Sequence, residues 1–484
     1  MTDHAQDKGS WRRGAGGRHA VVIGGSLAGM LTAHVLAEHA DKVTIVERDR
    51  FPEGPEPRPG VPHGRHAHVL LEGGQHALDA LLPGFMDQLK ASGAPRLGMP
   101  SDMVQWQSGH WFRRTAATSY VYTGSRGQVE HLVRERVLAN PLINTLTSTE
   151  AVGLLGDASR VRGVLLRRRG EGAAAAGPEP EAVEADLVVD ASGRGSRASR
   201  WLSEIGAEPP QEETIDTGLA YASRIYHNKS DNLGSDSLGY YVFPNPSQVY
   251  GGGVLPLEDG RYLVILSGLR GDEPPTDEDG FTAFAARFPH PFIHDWLREA
   301  VPDTPPFGFR QTSNLRRRYD RPGRRPAGFL ATGDALCTFN PIYGQGMAVA
   351  AMSAVALRDV LTDPRRTSST RRAQRALFEA SRQAWDISAG ADKSMPGAVG
   401  NAATNRVADR PAGWYLNRVQ QRYPGDPVVG PVFRSVLTLT SPLTALFAPK
   451  VARAVLFGPV PETPAGPPMT RESADRRTST PTAG

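Results

Sequence analysis

The chain has 484 residues, 39% of them hydrophobic, which is enough for two or three units sharing a sizeable core. A net charge of only +4, from 55 basic and 51 acidic residues with no basic face interleaved with aromatics, argues against a nucleic-acid partner. A single cysteine, Cys337, excludes an internal disulfide; no apolar run reaches about 18 residues and residues 1–18 lack a signal-peptide core, so a cytoplasmic protein is expected.

The first ordered element begins at His19. Ala20-Val21-Val22-Ile23 is a β-branched run of the kind buried in a parallel strand. Gly24-Gly25-Ser26-Leu27-Ala28-Gly29 follows at once, then a predicted helix over 30–40 with Leu31, Val35 and Leu36 on its apolar side. A second strand over 43–46 ends in Glu47. The pattern is a dinucleotide-binding half-unit. Gly24 permits the tight turn, a small Ser26 lets the backbone approach a pyrophosphate, and Gly29 lets helix and strand pack closely. The helix N-terminus offers free N–H groups to the phosphates. Glu47 lies about 20 residues past the loop, the distance of a carboxylate that binds adenosine ribose hydroxyls. Ser26 stands where the middle glycine is usual, which is tolerable if its side chain points away from the phosphates.

Farther along, His63, His66 and His68, with His76 beyond, have a spacing that suits no standard metal site. They are expected to be loop histidines or hydrogen-bonding partners of a cofactor. Trp106, Trp111, Phe112, Tyr120 and Tyr122 lie on alternating strand-like segments; like Tyr240 and Tyr241, they either pack the core or line an apolar channel. The Ala/Gly/Pro/Glu stretch at 170–182 is expected to be a hairpin tip between strands over 161–167 and 186–189, and the Pro/Thr/Arg-rich tail after 462 to be unstructured. Arg167-Arg168-Arg169 and Arg316-Arg317-Arg318 are short clusters able to bind phosphate. Cys337 has no resolving cysteine or evident base beside it and is expected to be filler. Apolar helices over 428–442 and 443–457 are interrupted by Pro442 and Pro449, and are expected to pack over a substrate tunnel.

Two later motifs carry a family resemblance. Gly328-Phe329-Leu330-Ala331-Thr332-Gly333-Asp334-Ala335 is a strand ending in Gly-Asp, and Pro341-Ile342-Tyr343-Gly344-Gln345-Gly346-Met347 opens a helix over 348–360. Together they resemble the second FAD fingerprint of the aromatic-hydroxylase and squalene-epoxidase superfamily. There the Asp contacts the ribitol, and the helix N-terminus stabilises negative charge on the flavin. Glu47-Arg48-Asp49, the stretch from Arg58-Pro59-Gly60-Val61 to Glu72-Gly73-Gly74, Leu257-Glu258-Asp259-Gly260-Arg261 and Asn340-Pro341 are still more similar to bacterial flavin epoxidases acting on polyenes in polyether-antibiotic assembly. The resemblance covers most of residues 20–360.

The resemblance implies an α/β fold: a Rossmann-like FAD-binding domain of glutathione-reductase type (19–98, 124–215 and 320–385), an interleaved β-sheet substrate domain (99–123 and 216–319), C-terminal helices (386–462) and disordered tails (1–18 and 463–484). Its implied cofactor-binding residues are Gly24, Ser26, Gly29, Glu47, Arg48, Arg58, Arg126, Val152, Asp334, Pro341, Gly344, Gln345, Gly346 and Met347. Arg58 and Arg126 would reach the pyrophosphate or ribityl region and Val152 the adenine. The implied reaction is epoxidation of a lipophilic polyketide or terpenoid polyene by a flavin C4a-hydroperoxide, with O2 as co-substrate and no protein acid or base required. Aromatic hydroxylation and a reduction like that of geranylgeranyl reductases are the alternatives; a halogenase is disfavoured because Trp106 and Trp111 are too far apart for that family's paired tryptophans. In Asp190-Ala191-Ser192-Gly193-Arg194-Gly195-Ser196, Ser192-Gly193 replaces the family's Asp-Gly, which in aromatic hydroxylases helps receive NADPH. Direct docking of NADPH is thereby put in doubt: reduced nicotinamide is expected to serve either directly or through a separate reductase, with a separate reductase or free reduced flavin favoured as the electron source. Peripheral membrane contact by the C-terminal helices is a further implication, without a transmembrane segment.

Overall fold

The computed structural model describes residues 17–169, 179–227, 239–321, 323, 325–404 and 410–472. A five-stranded sheet forms its centre, in the order Phe329–Ala331, Leu187–Asp190, His19–Ile23, Lys42–Val46, Ile143–Leu146. All of its pairings are parallel. Val21, Val22, Val43, Val188 and Val189 are fully buried, as β-branched runs covered on both faces should be. The helices Leu27–Leu36, Arg126–Leu138 and Gly346–Thr362 pack around this sheet and on one another.

The glycine loop is shorter than expected. Its helix opens at Leu27 because the Ser26 carbonyl already accepts the Met30 amide at 2.9 Å. Gly24 has φ +106°, and a Cβ there would stand 2.4 Å from the Ala191 carbonyl oxygen. A Cβ on Gly29 would come within 1.8 Å of the Gly24 carbonyl oxygen, so close helix–strand packing demands glycine.

The strand Val161–Arg168 pairs with Thr149–Gly156 on one side and with Glu181–Glu184 on the other. The hairpin therefore closes on 181–184, and the segment expected to be its second arm joins the central parallel sheet as Leu187–Asp190. Residues 170–178, at the expected tip, lie outside the described residues.

The second unit is an eight-stranded sheet whose main strands are Ala220–His227, Arg261–Gly268, Gly251–Pro256, Gly239–Val242 and Met103–Gln107. Helices Glu278–Phe284 and Phe292–Glu299 supply Phe281, Phe284, Ile293 and Trp296 to its own apolar core. Trp106 faces Trp111 in register, and both lie in this core with Tyr240. Tyr120 and Tyr122 belong instead to a three-stranded sheet formed by Ser119–Thr123, Arg96–Met99 and Val69–Leu70. Phe112 packs with Tyr423 and Phe433 of the C-terminal helices.

One helix, Thr370–Asp392, runs across the expected boundary at 385. Beyond it come Arg410–Arg422, Val429–Leu437, a short 3-10 turn Leu443–Phe447 with Pro442 just before it, and Pro449–Phe457, which opens on its proline. Residues 463–472 are held in place where an unstructured tail was expected. The fully buried Arg114 donates to the carbonyls of Ser101 and Met469, and Arg471 pairs with Asp102 at 2.9 Å. No helix of the described residues is long and apolar enough to cross a membrane.

Candidate functional site

Two spaces meet in the middle of the molecule. The first is a cleft of about 520 Å³ at the carboxyl ends of the parallel strands. Its walls include Gly24, Ser26, Glu47, Arg48, Arg58, Arg126, Asp334, Gly346 and Met347. Among the expected positions, Gly29 does its work by packing against Gly24 rather than by facing the cleft. Thr149, Glu150 and Ala151 line the wall where Val152 was expected; Val152 is not part of it.

The polar core of this cleft is a charge cluster. Glu47 accepts the Gly25 amide at 2.8 Å and pairs with Arg58 at 2.9 Å. Glu130, which no sequence motif marked, pairs with Arg126 at 2.8 Å and accepts from Ser26 Oγ at 2.5 Å. Burial works to raise the Glu130 carboxyl, but Arg126, Arg58 and the Ser26 hydroxyl together bring it below the usual carboxylate range. Ser26 thus turns its hydroxyl to Glu130 and Arg126. Arg58 is 7% exposed, and its Nε has no hydrogen-bond partner. Burial pushes the Asp334 carboxyl up, against the opposing pull of Arg126 and Arg194.

The histidines stand beside these groups. His68 Nδ1 lies 2.9 Å from the His66 carbonyl, so it carries the proton and leaves Nε2 as an acceptor. His66 Nδ1 lies 3.0 Å from Ser223 Oγ. Burial lowers both rings, His66 to about 4 and His68 to about 3, and each is neutral near pH 7. Among the described residues, no three His, Cys, Asp or Glu side chains converge as a metal site. The arginine clusters are also accounted for: Arg316 and Arg318 both pair with Glu213 at 2.7 Å, and Arg167 pairs with Glu150 at 2.9 Å. Cys337 is buried, and burial pushes its thiol up.

The second space is a cavity of about 670 Å³, walled mainly by apolar side chains such as Met99, Val121, Leu255, Ile265, Phe433 and Leu437. Tyr241 lines it, alone among the seven aromatic residues singled out from the sequence. Gln345 also faces this cavity rather than the cleft, buried and with Oε1 unpartnered. Ala67, Val69, Tyr221, Pro341 and Gly344 border both spaces and mark their junction.

The turn at that junction is held from behind. Asp392, 2% exposed, accepts from Tyr343 Oη at 2.6 Å, Asn314 Nδ2 at 2.6 Å and Asn340 Nδ2 at 3.0 Å. Asn340 Oδ1 accepts the Ile342 amide at 3.3 Å, and Gly344 closes the turn at φ +66°. The helix Gly346–Thr362 then begins at the junction with its N-terminus.

The FAD binding domain family model matches residues 18–389. The chain belongs to the FAD binding domain family. Its cofactor is FAD, and it is an enzyme of the FAD-dependent monooxygenase and hydroxylase type. It is 35% identical over 352 residues to Protein Rv3254 of Mycobacterium tuberculosis (strain ATCC 25618 / H37Rv), covering 71% of this chain and 73% of that one. It is 25% identical over 367 residues to 6-methylpretetramide 4-monooxygenase of Streptomyces rimosus, covering 71% and 74%. The solved flavin-dependent brominase Bmp2 matches with a TM-score of 0.60 over 87% of this chain and 93% of its own, at 15% identity, a likeness of fold. The cleft suits the family's cofactor: it has a glycine turn where a Cβ would collide, a buried arginine whose Nε makes no hydrogen bond and a carboxylate at the end of the second strand.

Proposed function

We propose that this FAD-dependent monooxygenase epoxidises an alkene of a lipophilic polyene, of polyketide or terpenoid type. The carrying observation is an apolar cavity that reaches the cleft junction, whose described lining holds no histidine and whose one lining carboxylate, Asp386, is exposed. An alkene needs no base to become nucleophilic, whereas a phenol gains from one. Burial holds the Tyr241 and Tyr343 hydroxyls above their ordinary range, so both stay protonated beside the junction.

Bound FAD supplies oxygen activation. The chain's own residues bind and shield it. Gly24 and Gly25 would bring backbone N–H groups to the pyrophosphate, Arg58 and Arg126 would neutralise it, and Glu47 would hold the adenosine ribose. The Gly346–Thr362 helix N-terminus would face the flavin's pyrimidine edge. Met99, Val121, Leu255 and Ile265 exclude water from the neighbouring space. Electrons would come from reduced nicotinamide, through a separate flavin reductase.

Aromatic hydroxylation is the second reading, favoured by the similarity to 6-methylpretetramide 4-monooxygenase. Turnover of a polyene under labelled O2 tests the proposal. One O2-derived atom in an epoxide is the expected result; labelled phenol from an aromatic substrate with an untouched polyene would favour the second reading instead.

A further inference from the structure

Arg434 lies on the helix Val429–Leu437, in a segment with no other charge. It is 5% exposed, yet it lines the apolar cavity. Among the described residues it has no carboxylate within ion-pair distance. It donates through one terminal nitrogen to Thr118 Oγ1, and its guanidinium stands 5.5 Å from the Tyr423 ring centroid. Its Nε has no hydrogen-bond partner at all. A buried guanidinium with no counter-charge and an unpaired Nε is costly, and a ligand carboxylate would offset that cost.

Two neighbours support the same reading. Gln105, 5% exposed, lines the cavity with Oε1 unpartnered, and the Tyr423 hydroxyl interacts with both Gln105 and Arg434. Burial holds that hydroxyl in its protonated form, so it is a donor to an anion. The other cation in the lining, Arg410, is exposed.

We propose that the cavity takes an amphiphilic carboxylic acid, whose carboxylate pairs with Arg434 beside Tyr423 while its apolar chain fills the remaining space. A planar guanidinium matches a carboxylate in shape as well as charge. The inference rests on the monooxygenase reading only in taking this cavity as the substrate site.

The test uses the FAD-loaded enzyme and two probes of equal chain, linolenic acid and its methyl ester, below their aggregation limits, with binding followed by calorimetry. The acid is expected to bind about tenfold more tightly than the ester or better, the scale of a charge-assisted pair. Arg434→Gln should bring the acid down to the ester's affinity and leave the ester unchanged, and Arg434→Lys should restore part of the difference. Because the wild-type comparison needs no variant, poor folding of Arg434→Gln does not spare the proposal. Equal binding of acid and ester, no binding of the acid, or equal weakening of both in the variant overturns it. Acid-selective binding without an O2-derived atom in any product would refute epoxidation and leave this inference standing; labelled epoxide formed equally from acid and ester would do the reverse.

Discussion

The cleft and the cavity are built in opposite ways. The cleft has one end made of backbone, the loop from Gly24 to Gly29 closed against the Ala191 carbonyl, which a few distant side chains such as Arg58, Arg126 and Asp334 then complete. The cavity is assembled from single side chains on distant segments, from Ala67 through Tyr241 and Gln345 to Arg434. A backbone-built site tolerates few substitutions at its turns, because a Cβ there meets other backbone. A side-chain-built site can change its occupant with one replacement. That contrast orders the expected effects of mutation.

The largest effect belongs to the loop. Gly29→Val places a branched side chain where even a Cβ would stand 1.8 Å from the Gly24 carbonyl oxygen. The protein is expected to purify without flavin, as read from its visible absorbance; normal FAD content would break the comparison. Next comes the latch behind the junction. Asp392→Ala removes the acceptor of three hydrogen bonds, and a loss of roughly 3 kcal/mol in stability is expected, read by denaturant unfolding. An unchanged midpoint would show that the turn does not depend on this carboxylate.

Acid should expose the buried histidines. His66 titrates near its ordinary value of 6.5 when unfolded but only at about 4 when folded, so the unfolded chain binds the extra proton first. Stability attached to His66 is therefore complete above about pH 6.5 and declines as pH falls toward 4, at about 1.4 kcal/mol per pH unit. His66→Gln should flatten that limb in a pH series of unfolding measurements; an unchanged slope would remove His66 as its source. A smaller effect, of opposite sign for the cofactor, is expected at Glu130. Glu130→Gln takes a negative charge from Arg58 and Arg126 and should tighten FAD binding by roughly threefold to tenfold in a titration of apoprotein. Weaker binding would mean that Glu130 holds the arginines in place rather than competing with the phosphates. The smallest change is expected at the half-exposed Arg167–Glu150 pair, where Arg167→Ala should alter stability by no more than about 0.5 kcal/mol.

The same contrast explains what the sequence disclosed. The strand, loop and Glu47 are local, and their spacing alone identified a dinucleotide cleft. Glu130 was within reach, since it lies one helical turn past Arg126. The helix start moved to Leu27 because capping was settled by a carbonyl, which no side chain announces. The arm of the hairpin was misassigned because 181–184 is polar and exposed at an edge, while 187–190 carries the apolar run of a central strand. The Tyr343–Asp392 contact joins residues 49 apart in sequence, and Arg434 was hidden as one charge on an apolar helix. Neither has a spacing that could be read without the fold. The packed tail is a similar case: nothing in a Pro- and Thr-rich composition shows that Arg114 takes its Met469 carbonyl.

The most direct test of the central claim, that the cavity delivers an alkene to the flavin junction, is a single turnover. Reduced holoenzyme would be mixed with aerated buffer, with and without a lipophilic polyene, while flavin reoxidation, epoxide and hydrogen peroxide are measured together. With polyene, about one epoxide per flavin reoxidised is expected, with little peroxide released. Reoxidation at the same rate with and without polyene, yielding only peroxide, would contradict it.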